Sequence, residues 1–169
     1  MKKLLLLILA LVMILILAAC GGETSESVTL VDVTTEIGIS LKLPNDMAKQ
    51  DSGAYANMET GDSAGFGVTE IAGDPLSGAT EEDVLALYQS KYDDVVVTSF
   101  ENGKQINGKE ALVSQVNLKT PKGNEVTIIL VMVTDDRNNY IVTFTHGKDK
   151  TEGALFQNLQ ACIDSITIQ

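Results

Sequence analysis

With no tryptophan and aromatic residues at 5% of the chain, the sequence lacks the stacking platforms that hold sugars or nucleic-acid bases. One histidine, His146, and two cysteines, Cys20 and Cys162, are too few to build a zinc site of His and Cys ligands. No phosphate-cradling glycine loop occurs either: "FGVTEIAGD" has neither the glycine spacing nor the helix that should follow it. No cofactor is therefore expected. Basic residues are scarce as well. Lys2 and Lys3 precede the first acid by twenty residues, so the chain from Cys20 onward carries ten bases against 23 acids, a net charge of −13. Phosphate backbones repel such a domain, which excludes nucleic acid as an expected partner and leaves cations and basic protein surfaces.

The one long apolar run is at the start. Met1-Lys2-Lys3 is a short positive segment, Leu4 to Leu17 is continuously apolar, and Ala18-Ala19 supply small residues for a signal peptidase. A spanning helix needs about 20 apolar residues, so this run is short for an uncleaved anchor. Leu17-Ala18-Ala19-Cys20 resembles the lipobox of bacterial lipoproteins, and the resemblance implies a diacylglycerol on the Cys20 thiol with cleavage just before it. Residues 1–19 are then a lipoprotein signal peptide. "GGETSES" reads as a flexible tether, so residues 20–27 could span at most about 26–29 Å. The protein is expected to sit on the extracytoplasmic face of the cell membrane, held through the lipid on Cys20. Cys162 is left without a disulfide partner. It recurs with Leu155, Leu159, Ile163 and Ile166 at helical spacing, which predicts a buried structural thiol.

Residues 28–169 read as one α+β domain, an antiparallel sheet packed by helices. "SVTLVDVT" and "GISLKLP" suggest a first hairpin, and "AYANMET" and "GFGVTEIAG" a second pair joined through "GDSA". Gly73, Asp74, Pro75 and Gly78 mark a loop. Thr80 opens a helix: Thr80-x-x-Asp83 is a capping-box pattern, and Val84, Leu87, Tyr88 and Tyr92 form its apolar stripe. "DVVVTSFENGKQI" predicts a strand with a tight turn at Asn102-Gly103. "KEALVSQVNL" and "NEVTIILVMVT" follow, the second apolar on both pleat faces and so central. "NNYIVTFTH" completes the meander, and a last helix is expected from about Asp149–Thr151 to Asp164.

"ISLKLPNDM", "ATEEDVLALYQSKYDD", "INGKEALVSQVNL" and "NYIVTFTHGKDKTEGALFQNLQACIDSITI" together resemble the PsbP-like fold family over nearly all of the chain after the tether. That family includes an extrinsic photosystem II subunit, a Ran-binding import factor and many bacterial lipoproteins. The resemblance implies an α/β/α sandwich that acts as a non-catalytic binding or accessory module for a protein or envelope component. It carries over no ligand residues.

Three constellations offer alternatives. "GDSAG", Gly61 to Gly65, matches the nucleophile-elbow pattern, and Ser63, Asp135 or Asp136 and His146 even follow in hydrolase order. A serine hydrolase using Ser63 and His146 is the competing function. An elbow needs a strand-turn-helix, however, and a strand follows Ser63, so a polar hairpin turn is the simpler expectation. His146 in "THGKDK" reads as a loop residue, exposed or merely structural. "TDDRNN" brings together Asp135, Asp136, Asn138 and Asn139, and Asp93-Asp94 is a second acidic pair. Either could bind a divalent cation weakly, although a solvated turn suits the first better because the EF-hand glycine and bidentate glutamate are missing. Glu81, Glu82 and Asp83 are charges suited to a helix N-terminus.

Overall fold

The structure is a computed structural model that describes residues 28–70, 76 and 78–169; Cys20, the tether and most of the loop marked by Gly73 to Pro75 lie outside the described residues. In chain order it contains β1 (Leu30–Thr34), β2 (Ile39–Pro44), β3 (Ala48–Lys49), β4 (Tyr55–Ala56), β5 (Ser63–Glu70), helix α1 (Glu81–Gln89), β6 (Asp93–Ile106), β7 (Lys109–Lys119), β8 (Glu125–Thr134), β9 (Asn138–Gly147), helix α2 (Ala154–Asp164) and β10 (Thr167–Ile168). Seven strands form one antiparallel sheet in the order β3-β4-β5-β9-β8-β7-β6, and a small sheet has the order β1-β2-β10. The α+β expectation holds, with the large sheet between α1 on one face and α2 with the small sheet on the other.

β8 explains this layering. Its odd residues Ile129, Val131 and Val133 join Val142, Phe144, Leu155 and Cys162 in the core under α2 and the small sheet. Its even residues Ile128, Leu130 and Met132 join Ile141, Leu112 and Val116 under α1. A strand apolar on both faces can be satisfied only between two covered surfaces. Each large side chain taken fully out of water there contributes about 1.5–3 kcal/mol.

α1 is closed at its start by reciprocal bonds: Asp83 N–H donates to Thr80 Oγ1 at 3.3 Å, and Thr80 N–H to Asp83 Oδ2 at 3.1 Å. Val84, Leu87, Tyr88 and Tyr92 are buried as the stripe predicts. α2 starts at Ala154, several residues later than the sequence suggested, because Gly153 is its N-cap and residues 148–153 form turns.

The expected turn at Asn102-Gly103 is a correction. β6 runs through it, and Gly103 (φ +90°) sits at a register shift between Asn102 and Lys104. The hairpin closes instead at the second Asn-Gly pair. Asn107 (φ +47°) and Gly108 (φ +78°) both take the positive φ that a two-residue turn of this twist requires. Both asparagines act as hooks. Asn102 Nδ2 donates to the carbonyls of Leu76 (2.8 Å) and Ala79 (3.2 Å), holding the segment before α1, and Asn107 Nδ2 to those of Asp164 (2.9 Å) and Ile166 (2.7 Å), holding the end of α2.

Candidate functional site

The register settles where the elbow candidates lie. Ser63 is opposite Thr145 in the β5–β9 pair, so its side chain shares the face of Thr145, toward α1. His146 is one residue further along β9 and faces the other way, with its ring edge-on to Phe156 of α2 at 5.1 Å. The sheet therefore separates Ser63 from His146, and the two do not form a nucleophile–base pair. Both placements correct the sequence expectations. Ser63 is the buried first residue of a strand, not a turn residue, and His146 is a strand residue only 2% exposed, not a loop residue. Ser63 Oγ is buried with no hydrogen-bond partner, so no base activates it.

What His146 does join is a polar row across the sheet. Asn117 of β7 is opposite Thr127 of β8, which is opposite His146 of β9. Thr127 Oγ1 donates to Asn117 Oδ1 at 2.8 Å, and His146 Nδ1 lies 2.9 Å from the Gly147 carbonyl oxygen, a distance suited to Nδ1–H as donor. Asp62 continues the row just ahead of β5. Its side chain is 1% exposed, and Oδ1 has no hydrogen-bond partner. Burial holds its carboxyl above the usual carboxylate range, while the Thr60 hydroxyl, His146 and Lys150 pull it down and Asp46 pushes it further up. Lys150 Nζ donates to the Thr60 carbonyl at 2.9 Å. A Cβ on Gly153 would come 2.7 Å from Asp62 Oδ2, so the glycine at the start of α2 makes room for this carboxylate. Among the described residues this is the one place where a buried acid, a histidine and a lysine gather.

Neither Asp62, beside Ser63 in "GDSAG", nor Asn117 and Thr127 carries a local sequence signal for this row. Their common signal is a shared register position, which no single strand displays.

The acidic turns are ordinary backbone devices. Asp135 Oδ1 accepts from the backbone N–H groups of Arg137 and Asn138, each at 2.7 Å, and these bonds hold its carboxyl below the usual range. Asn139 is buried in β9, turned away from any such cluster. Asp93 and Asp94 begin β6, with Asp94 at φ +52°. Glu81, Glu82 and Asp83 fill the first turn of α1. No group of three or more His, Cys, Asp or Glu side chains is placed to hold a metal ion among the described residues.

No protein-family model and no curated protein matches the sequence. Solved structures match in shape. The solution structure of cyanobacterial PsbP (CyanoP) from Synechocystis sp. PCC 6803 is similar with a TM-score of 0.61 at 12% identity, covering 90% of this chain and 99% of that one. The domain has a PsbP-like fold. LpqN of Mycobacterium tuberculosis, described as involved in cell envelope biogenesis, is similar with a TM-score of 0.55 at 14% identity, covering 85% of this chain and 92% of that one. At these identities the PsbP-like likeness is one of fold.

Proposed function

We propose that the protein is a bacterial lipoprotein, anchored through Cys20 to the extracytoplasmic face of the cell membrane, whose PsbP-like domain (residues 28–169) is a non-catalytic binding or accessory module for a membrane-associated protein or another envelope component. Leu17-Ala18-Ala19-Cys20 carries the anchoring half of this reading, with a leader of signal-peptide form before it and a short polar tether after it. The separation of Ser63 from His146 by the sheet carries the other half, because it removes the best catalytic pair the sequence offered. The likeness in fold to LpqN, a protein named for envelope biogenesis, agrees with an envelope partner.

Two measurements test the halves separately. Wild-type protein should stay with the membrane until detergent is added, and Cys20→Ala should be released from it; a variant that stays bound would contradict the anchor. A fluorophosphonate probe should leave the folded protein unlabelled. Stoichiometric labelling abolished by Ser63→Ala would instead establish the hydrolase.

A further inference from the structure

We propose that the turn between β9 and α2, residues 148–153, is a pH-dependent latch, closed over the Asp62 carboxyl group when that group is protonated and loosened when it is ionised. The device goes beyond the binding-module reading and does not depend on what the module binds. Three contacts build it. Lys150 reaches from the turn to the loop before β5, where its Nζ donates to the Thr60 carbonyl at 2.9 Å. Its stem crosses Gly147, where a Cβ would meet Lys150 Cγ at 3.0 Å, so the glycine leaves that path open. Gly153 covers the carboxyl group in the same manner, since a Cβ there would come 2.7 Å from Asp62 Oδ2.

Under this cover Asp62 Oδ1 is sealed from water and has no hydrogen-bond partner. An ionised carboxylate needs its oxygens solvated or bonded, whereas the neutral acid loses much less on burial. The closed turn therefore favours the protonated form, and the ionised form favours any opening that lets water reach Oδ1. The groups facing Asp62 are His146 from β9, Asp46 from the segment between β2 and β3, Lys150 from the turn and the Thr60 hydroxyl. Burial is the largest influence and raises the carboxyl; Thr60, His146 and Lys150 pull it down, Asp46 pushes it up, and the net position stays above the usual range. A carboxyl raised in the closed state relative to the open one stabilises closure in acid, and that stabilisation is lost as pH rises through the closed-state value. Acid shuts the latch and neutral pH loosens it.

Little else holds this end of α2. Gly153 brings no side-chain cap and the first turn contains no acid to complement the helix dipole. Leu155, buried in the core two residues further on, confines the motion to the turn and the first helical N–H groups.

The test is amide hydrogen exchange of the full-length protein in neutral detergent micelles from pH 4 to pH 7, each rate being divided by the intrinsic rate of that amide at that pH so that only opening remains. The reporting amides are Lys150, bonded to the Gly147 carbonyl at 3.0 Å, and Gln157, bonded to that of Gly153 at 3.1 Å. Opening at both should rise by at least about threefold across this range, while amides of β8 do not follow. Asp62→Asn, which keeps the shape and cannot ionise, should hold opening at the acid level throughout. Lys150→Met keeps the stem and removes the bond to Thr60, so it should raise opening at every pH and leave the rise with pH in place. Opening in the wild-type chain that is flat, or that falls as pH rises, would overturn the latch without reliance on any variant. A rise that persists in Asp62→Asn would assign the titration to another group and overturn it as well. A rise shared equally by β8 would place the effect in global unfolding and overturn a local device.

Discussion

Cys162 is fully buried beneath α2, where burial pushes its thiol up to about 11. Both reagent and thiolate are excluded there, so iodoacetamide should leave Cys162 unmodified in the folded protein and alkylate it once the chain is denatured. Equal rates in the two states would place the residue at the surface. Its burial was legible because helical spacing with Leu155, Leu159 and Ile163 needs only local sequence. Asp62 was not legible, since its environment comes from residues roughly 80 to 90 positions away. Its raised carboxyl makes the folded state hold a proton more tightly than the unfolded chain does, so the ionised form costs stability. That cost is absent below the unfolded value near 3.8 and appears as pH rises through the higher folded value. Asp62→Asn should therefore raise the melting temperature at pH 7, with the gain shrinking as pH falls toward 4. A gain that stays constant with pH, or a loss at pH 7, would show that the charged form is needed by His146, Lys150 and the start of α2.

At the scale of elements, the hairpin β6–β7 is the instructive case. "ENGKQINGKE" contains two Asn-Gly pairs five residues apart, and local turn chemistry favours both equally. What decides between them is non-local. Closing at Asn107-Gly108 lets β6 pair along β7 and puts the Asn107 amide on the two carbonyls at the end of α2. Asn102 is then left inside β6, where a bulge turns its amide toward the segment before α1. Asn107→Ala should lose about 1–3 kcal/mol in urea unfolding, because it strips donors from the Asp164 and Ile166 carbonyls and removes a residue that tolerates positive φ. A loss below about 0.5 kcal/mol, the scatter of surface substitutions, would mean that the hook contributes little. β8 and α1 were readable because their patterns are self-contained: a doubly apolar run and a capped amphipathic stripe. The two-residue strands β3 and β10 carry no such pattern, and only their partners define them.

For the whole molecule, the large sheet carries one apolar cluster on each of its faces. Among the described residues no helix is long and apolar enough to cross a membrane; the proposed attachment is through Cys20. A domain of net charge −13 on a tether of about 26–29 Å is repelled by anionic headgroups over a screening length of ~8 Å at physiological salt. Under the proposed anchoring, the domain is therefore expected to stand off the bilayer with its surfaces open to an envelope partner. Two or more acyl chains hold a protein stably at a membrane, since each buried CH₂ contributes about 0.8 kcal/mol. The account depends most on that anchor. Mass spectrometry of the N-terminal peptide of protein purified from its native membranes measures it directly. The expected result is a chain that begins at Cys20 and carries a diacylglyceryl group on the thiol; a free Cys20 thiol in a chain that retains residues 1–19 would contradict it.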